Sequence, residues 1–173
     1  MPVREKTCTV GGPRPHKLPA GLDISRLQER LDGEMRVSIF RGYTRFLSGM
    51  SLGVDIWAAE AILKLKKEFP HIRLVCYLPC ETQADHWPNF WRNKYFNVLA
   101  EADDVITQQT HYTPDCIIRR NLSMIDDSSR LIVVHDGISP GGTEQTVGYA
   151  QAKGIEVVNI DPEECLFALR EVK

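Results

Sequence analysis

The chain has 173 residues, of which 43% are hydrophobic and 25% are charged, with a formal net charge of -2. This length suits one globular domain whose core needs no disulfide or metal to hold it together. Because acidic residues outnumber Lys and Arg by 23 to 21, a broad basic face for nucleic acid is not expected.

The five cysteines include no C-x-x-C pair and no Cys/His run with zinc-site spacing. The first ten residues, MPVREKTCTV, lack the long apolar stretch of a signal peptide, and no apolar run reaches about eighteen residues. We therefore expect reduced thiols, no metal site, a cytoplasmic location and no membrane partner.

Six short β-rich runs alternate with longer helical runs. Strands are predicted at 6–12, 45–50, 72–79, 103–110, 130–136 and 155–160. Helices are predicted at 23–43, with Asp23 as N-cap, and at 54–69, 87–102, 114–129, 143–154 and 162–171. This alternation predicts an α/β fold: one Rossmann-like doubly wound domain over residues 1–173, with a mainly parallel sheet and helices on both faces.

Ligands of such folds bind beyond the carboxyl ends of the strands, and three glycine-rich loops follow predicted strands. The first is GGPRPHKLP, residues 11–19. Arg14, between two prolines, can present its planar fork to phosphate or carboxylate, and Lys17 follows it. A solvated turn whose basic residues balance nearby acids is the alternative.

The second loop opens SGMSLGVDIWAAEA, residues 48–61, with Gly49 at the strand end and Gly53 at the helix start. No Lys-Ser/Thr follows, so this is not a P-loop. Its free backbone N–H groups suit an anion. Alternatively, Asp55 in the first helical turn caps the helix itself.

The third loop opens SPGGTEQTVGYAQAKG, residues 139–154. Gly141 and Gly142 allow close backbone approach to a ligand, and Thr143 is an acceptable N-cap. Glu144 places a negative charge at the helix start and would repel a phosphate there, so ribose hydroxyls suit it better. Thr146 is expected to face the polar edge of the ligand.

Two further segments are candidates for the same crevice. In the helix at 114–129, Ile118, Leu122 and Ile125 form the expected apolar stripe, Asn121 falls inside it and Arg120 flanks it. Asn121 either pins a neighbouring loop or faces the crevice. The long loop CETQADHWPNFW carries Gln83 and Trp87 and is typical of a lid. Trp87 either stacks on a base or packs in the core.

These segments resemble the YpsA-like branch of the SLOG superfamily, which also includes the Smf/DprA proteins and the LOG phosphoribohydrolases. The resemblance rests on SGMSLGVDIWAAEA, RPHKL, Q-x-x-x-W-P, RRNLSMIDDSSRLIVVHDG and PGGTEQTVGYA in this order, and spans about residues 7–160. It implies a Rossmann-like fold that binds nucleotides or nucleotide-derived ligands. Self-association is common for such domains, and the sequence marks no interface for it.

The chain departs from this family at its first loop. The usual start reads Thr-Gly-His-Arg-Pro, whereas residues 11–15 read Gly-Gly-Pro-Arg-Pro. The threonine and the histidine are replaced and the arginine is kept. A role of that histidine therefore does not carry over to this chain.

A LOG-like N-glycoside hydrolase acting on a nucleotide is one alternative function. The LOG pattern P-G-G-x-G-T-x-x-E, aligned on Pro140, places Gly148 where the supporting glutamate would stand. Glycine cannot stabilise an oxocarbenium ion or activate water. Glu144 is the catalytic candidate if this alternative holds, and catalysis is otherwise not expected.

DprA-like binding of single-stranded DNA is the other alternative. It needs a positive groove with stacking aromatic residues, and no basic cluster here exceeds the short RPHK run. The preferred hypothesis is a domain that binds a small nucleotide-derived ligand, such as ADP-ribose or an NAD derivative, as a sensor or regulator, with no required cofactor. The expected ligand-binding residues are Gly11, Gly12, Arg14, Lys17, Ser48, Gly49, Met50, Gly53, Gln83, Trp87, Arg120, Asn121, Asp136, Gly141, Gly142, Thr143 and Thr146.

Overall fold

A computed structural model describes residues 3–168. Six strands form one sheet: β1 Thr7–Gly11, β2 Arg45–Ser48, β3 Arg73–Leu78, β4 Asp104–Thr107, β5 Arg130–Val134 and β6 Glu156–Ile160. Five α-helices alternate with them: α1 Ile24–Phe40, α2 Val54–Glu68, α3 Asn89–Glu101, α4 Cys116–Asp126 and α5 Gly142–Ala152. All pairings are parallel, in the order β4-β3-β2-β1-β5-β6.

Successive side chains of each strand pack into two separate helical layers. On one face Val10 of β1 and Phe46 of β2 share a core with α1, α2 and α3. On the other face Leu47 packs with Met124 of α4, and Leu131 packs with Ala150 of α5. Strands β3 and β5, which are covered on both faces, are apolar after their first arginine, whereas the edge strand β4 is largely exposed.

The strand order places a topological switch beside β1. The chain moves outward from β1 to β4 and then crosses to β5, on the other side of β1. Gly11 therefore pairs with Val133 at the carboxyl edge, where connections leave in opposite directions. Open α/β sheets leave a ligand crevice at this position.

The fold class and its alternation of elements are confirmed, and Asp23 caps α1 by accepting a hydrogen bond from the Arg26 amide at 3.2 Å. The expected helix at 162–171 is wrong for the part that is described. Residues 162–165 form a 3-10 turn, and Leu166 pairs with Leu22 in an isolated antiparallel bridge. The Phe167 amide donates to the Gly21 carbonyl at 2.9 Å, so it is not used in a helix. Residues 169–171 lie outside the described residues.

Across residues 3–168, none of the helices combines the length and the apolar character needed to cross a membrane.

Candidate functional site

A cavity of about 200 Å³, called here the inner cavity, opens at the carboxyl edge of β1 and β5. Four segments far apart in the sequence line it: residues 9–17, 51–55, 117–124 and 131–146. Its apolar wall consists of Ile117, Met124, Leu131 and Val133. The expected convergence of separate strand ends on one rim is therefore present.

A second cavity of about 220 Å³, the outer cavity, adjoins the first. Both are lined by Pro13, Lys17, Gly142 and Thr143, which form the partition between them. The remaining lining of the outer cavity includes Pro19, His135, Asp136, Ser139, Pro140, Gly141, Pro162 and Glu163.

The first loop is held in place by the start of α2. A Cβ on Gly53 would stand 2.8 Å from Cδ of Pro15 and 3.2 Å from the carbonyl oxygen of Pro13, and Gly53 has φ +95°. Glycine is therefore required both for its conformation and for this close approach. The contact fixes the loop that carries Arg14 and Lys17 over the inner cavity.

Arg14 is half-buried and Lys17 is exposed, and both line the inner cavity. Among residues 3–168 neither side chain lies within 4.0 Å of a carboxylate. Lys17 Nζ reaches the third loop, where it would stand 3.1 Å from a Cβ on Gly141. Lys17 thus brings the first and third loops together, and neither cation has an ion pair within residues 3–168.

Gly11 and Gly12 pack directly on α2. A Cβ on Gly11 would lie 3.1 Å from Oδ1 of Asp55, and one on Gly12 would lie 2.9 Å from Cγ1 of Val54. The Gly12 amide donates to Asp55 Oδ1 at 3.2 Å. Gly12 was expected to bind ligand, and its amide already has a partner within the protein.

Asp55 is a buried carboxylate that faces the inner cavity and is 7% exposed. Its Oδ2 accepts from the Ser51 amide at 3.3 Å. Burial raises the pKa of Asp55, and the positive charge of Arg120 and the two amide hydrogen bonds oppose this shift. The sequence suggested Asp55 as a cap of its own helix. In the structure its side chain accepts hydrogen bonds from Gly12 of the first loop and Ser51 of the second, and so connects the two loops.

Arg120 is 1% exposed and connects three elements. Its Nη1 donates to the carbonyl oxygens of Gly49 and Tyr77 and to Oε1 of Gln83. Its Nη2 donates to Oγ of Ser51 at 3.2 Å. Burial lowers the pKa of Arg120, while the negative charge of Asp55 opposes the shift.

Asn121 is oriented by Arg120. Arg120 Nε donates to Oδ1 of Asn121 at 2.8 Å, and an arginine nitrogen can only donate. The oxygen of the Asn121 amide must therefore face Arg120. Since Asn121 lines the inner cavity, its NH₂ group is the part left to donate to a ligand.

The first turn of α5 borders both cavities. Its N-cap, Gly141, has φ +137° and provides no side-chain cap. Thr146 Oγ1 donates to the Gly142 carbonyl oxygen at 2.8 Å, inside the helix. Glu144 is exposed and lines neither cavity. The uncapped amides at the positive end of the helix therefore face the partition. The Glu144 carboxylate is not part of the lining of either cavity.

Asp136 stabilises the turn before α5. Its Oδ1 accepts from the amides of Ile138 at 2.9 Å and Ser139 at 2.7 Å, and its Oδ2 accepts from Oγ of Ser139. These hydrogen bonds, with that from the Ser139 hydroxyl the largest, lower the pKa of Asp136 to about 2. Asp136 is therefore ionised at neutral pH and gives the outer cavity a negative charge.

Eleven of the residues expected to bind ligand line one or both cavities. Nine line the inner cavity: Gly11, Gly12, Arg14, Lys17, Arg120, Asn121, Gly142, Thr143 and Thr146. Asp136 and Gly141 line the outer cavity. The other six line neither cavity: Ser48, Gly49, Met50, Gly53, Gln83 and Trp87.

Those from the second loop have structural contacts instead. Ser48 Oγ donates to the Asp55 carbonyl oxygen at 2.9 Å and accepts from the Met50 amide at 3.2 Å. The sequence suggested that the N–H groups of this loop are free to bind an anion, but the Met50 amide is already bonded to Ser48. Gln83 Nε2 donates to the Met50 carbonyl oxygen at 2.9 Å, which ties the expected lid to this loop.

Trp87 and the stripe of α4 also differ from expectation. The Trp87 ring packs edge-on against Tyr95 at 5.3 Å, within the core beneath α3, so it does not line either cavity. In α4 the buried residues are Cys116, Arg120, Met124 and Ile125, so Ile125 of the expected stripe is buried, while Ile118 and Leu122 are half-buried. The helix is rotated from the expected orientation because the Arg120 guanidinium finds hydrogen-bond acceptors inside the protein.

Sequence reasoning missed Thr9, Ser51 and Asp55 as lining residues of the inner cavity. A signal for Asp55 was present in the sequence: it follows Gly53 by two residues, and Gly53, at the start of α2, has no side chain with which to cap the helix. Thr9 gave no local signal, because a threonine inside a strand is common. Within the described part of the chain, no group of three or more His, Cys, Asp or Glu residues is arranged to hold a metal ion.

The family model YpsA, described as the YspA SLOG family, matches residues 16–163. A UPF0398 protein of Halalkalibacterium halodurans is 31% identical over 144 residues, which cover 79% of this chain and 75% of that protein. A UPF0398 protein of Bacillus cereus is 32% identical over 119 residues, which cover 68% of this chain and 64% of that protein.

Among solved structures, DNA processing protein A (DprA) from Streptococcus pneumoniae has the same fold. The TM-score is 0.63 at 15% sequence identity, and the match covers 96% of this chain and 53% of DprA. This chain therefore corresponds to about half of DprA, and at this identity the likeness concerns the fold alone. The family match, in contrast, extends over most of the sequence, and the chain belongs to the YpsA (YspA) SLOG family.

Proposed function

We propose that this protein binds a nucleotide or nucleotide-derived ligand, such as ADP-ribose or an NAD derivative, and acts as a sensor or regulator. One observation carries the proposal. Arg14 and Lys17 border the inner cavity and have no carboxylate within 4.0 Å among residues 3–168, and Lys17 lies beside the uncapped start of α5.

Several weak contributions would add up at this position. A helix N-terminus stabilises an anion by about 0.3–1 kcal/mol, and a hydrogen bond to a charged group contributes about 1.5–3 kcal/mol. Two cations and the first-turn amides of α5 therefore suffice for a phosphate without a metal. Lys17 Nζ lies close to Gly141, so the lysine and the first-turn amides of α5 converge on one position.

The interior of the cavity suits the rest of a nucleotide. Ile117, Met124, Leu131 and Val133 give it an apolar wall for a flat ring. Asn121 offers amide donors, and Thr146 lines the same space. A mostly apolar pocket with a few fixed polar groups is typical of cofactor and nucleotide sites.

The two alternative functions receive less support. Gly148 occupies the position of the LOG glutamate, and Glu144 lines neither cavity, so hydrolysis lacks its expected carboxylate. Trp87, the stacking candidate for single-stranded DNA, packs against Tyr95. The near-balance of charges offers no positive groove of the kind such binding uses.

A binding panel tests the proposal. AMP, ADP-ribose, NAD and a short single-stranded DNA are compared by thermal shift and titration calorimetry, with free base measured in parallel. A ligand at 100 times its Kd adds about 2.7 kcal/mol to stability, which shifts the melting point clearly. Binding of the DNA alone, or release of free base from AMP, would contradict the proposal.

Arg14→Ala provides the residue-level test, with Arg26→Ala as control because Arg26 is an exposed arginine on α1 that lines neither cavity. Loss of a charged hydrogen bond predicts a Kd raised at least about tenfold by Arg14→Ala. Equal affinity of the two variants for every phosphate ligand would show that Arg14 does not hold phosphate.

A further inference from the structure

The outer cavity is not explained by a phosphate site alone. The inner and outer cavities measure about 200 and 220 Å³, and each is smaller than the roughly 300–1,000 Å³ of typical ligand pockets. They share Pro13, Lys17, Gly142 and Thr143 as lining residues. A ligand of nucleotide size therefore needs space in both.

The donors are concentrated at the partition between the cavities. Lys17 lines both cavities, and its Nζ lies close to Gly141 at the start of α5. The uncapped α5 amides face the same position. The negatively charged middle of a ligand that crosses from one cavity to the other would lie here.

Two carboxylates line the outer cavity, in contrast to the hydrogen-bond donors at the partition. Asp136 and Glu163 line it, and among residues 3–168 Lys17 is the one Lys or Arg in its lining. An ionised carboxylate can accept about four hydrogen bonds. Asp136 already accepts three, from Ile138 and Ser139, so about one remains for a ligand. His135 Nδ1 accepts from the Gly137 amide at 3.1 Å, so Nε2 carries the hydrogen and donates it to the Ser139 carbonyl oxygen at 3.0 Å. His135 therefore offers the cavity no unused donor.

Carboxylates repel phosphate and accept hydrogen bonds from hydroxyl groups. The outer cavity therefore disfavours further phosphates and favours a neutral group with several hydroxyls, such as a sugar. The inner cavity, with its apolar wall and the Asn121 amide, suits a base instead. The two compartments thus differ in the chemistry that each can accept.

We propose that the ligand is a nucleoside diphosphate that ends in a neutral sugar, with its base in the inner cavity, its phosphates beside Lys17 and its terminal sugar in the outer cavity. This inference rests on the proposed function and specifies the class of ligand. It predicts that the site prefers a ligand that is longer than a mononucleotide but does not carry the additional negative charge of a triphosphate. A mononucleotide leaves the outer cavity unfilled, and a nucleoside triphosphate brings negative charge toward Asp136 and Glu163.

Titration calorimetry of the wild-type protein with two matched series tests this order. The adenine series is AMP, ATP and ADP-ribose, and the uracil series is UMP, UTP and UDP-glucose. We expect the sugar-bearing diphosphate to bind at least about tenfold more tightly than the monophosphate and the triphosphate of the preferred base. If the monophosphate or triphosphate binds as tightly, the inference is overturned and the proposed function stands. Absence of binding by all six compounds and by NAD overturns both.

Two variants test the charge of the outer cavity. Asp136→Asn keeps an oxygen that accepts from the turn amides, and Glu163→Gln alters an exposed side chain. In the double variant the preference for ADP-ribose over ATP should fall about tenfold. Glu164→Gln is the control, because Glu164 is an exposed neighbour paired with Arg30 and lines neither cavity. An unchanged preference in a folded double variant would overturn the assignment of the outer cavity to a sugar.

Discussion

Replacing Gly49 with alanine tests the packing of the Arg120 guanidinium. A Cβ at this position would stand 2.7 Å from Cζ and 2.8 Å from Nη1 of Arg120, whereas unstrained contacts between non-bonded heavy atoms are about 3.5–4.0 Å. Arg120 cannot move aside freely, because its nitrogens are bonded to Gly49, Tyr77, Gln83, Ser51 and Asn121.

Gly49→Ala should therefore lower the free energy of unfolding by about 1–3 kcal/mol, as other insertions into tightly packed sites do. Urea denaturation followed by tryptophan fluorescence and circular dichroism measures the change as a lower midpoint. Gly148→Ala is the matched control. Gly148 lies within α5 with no atom within 4 Å of its added Cβ, and alanine there should stabilise the protein by up to about 1 kcal/mol.

A double-mutant cycle then isolates the contact. In an Arg120→Met background the planar guanidinium is gone, and Gly49→Ala should cost at least about 1 kcal/mol less than in the wild type. Two results would refute the reasoning. One is a Gly49→Ala variant as stable as Gly148→Ala, and the other is a strictly additive cycle.

Two further predictions concern ionisable groups. Because hydrogen bonds from Ser139 and Ile138 lower the folded pKa of Asp136 to about 2, below the unfolded value of about 3.9, its stabilisation is present above the unfolded pKa and is lost as the pH falls through the folded pKa. Urea midpoints of wild type and Asp136→Asn should differ most at neutral pH and converge below about pH 4; an undiminished difference at pH 3 would contradict this. Burial raises the pKa of Cys8 and Cys76 to about 12, and all five cysteines are buried, so a thiol reagent at pH 8 should modify them only after denaturation. Rapid modification of Cys8 in the folded protein would show that this part of the core opens readily.

The general plan of the fold could be predicted from local patterns. Apolar runs such as LIVV at 131–134 show no alternation, which indicates strands covered on both faces. Since parallel strands share one carboxyl edge, the loops with Arg14 and Gly142 were expected to meet there, and both line the inner cavity. Strand order and the second cavity needed the structure, because no local pattern specifies them.

The errors concern residues whose partners are distant in the sequence. Arg120 was expected at the flank of the apolar stripe as a ligand-binding residue, and the acceptors that bury it lie on Gly49, Tyr77 and Gln83. Trp87 could not be assigned to the core without knowing that α3 brings Tyr95 to it. The expected terminal helix fails for a similar reason, since the main chain at Phe167 bonds to Gly21.

The inner cavity lies between the two helical layers, and this position has a mechanical consequence. Its walls include Asp55 from α2 on one side of the sheet and Asn121 and Thr146 from α4 and α5 on the other. A molecule bound there contacts both helical layers and β1. Separating either layer from the sheet would therefore also require the free energy with which the molecule binds. Occupancy should accordingly slow hydrogen exchange at amides of the sheet that do not border the cavity, such as those of β3.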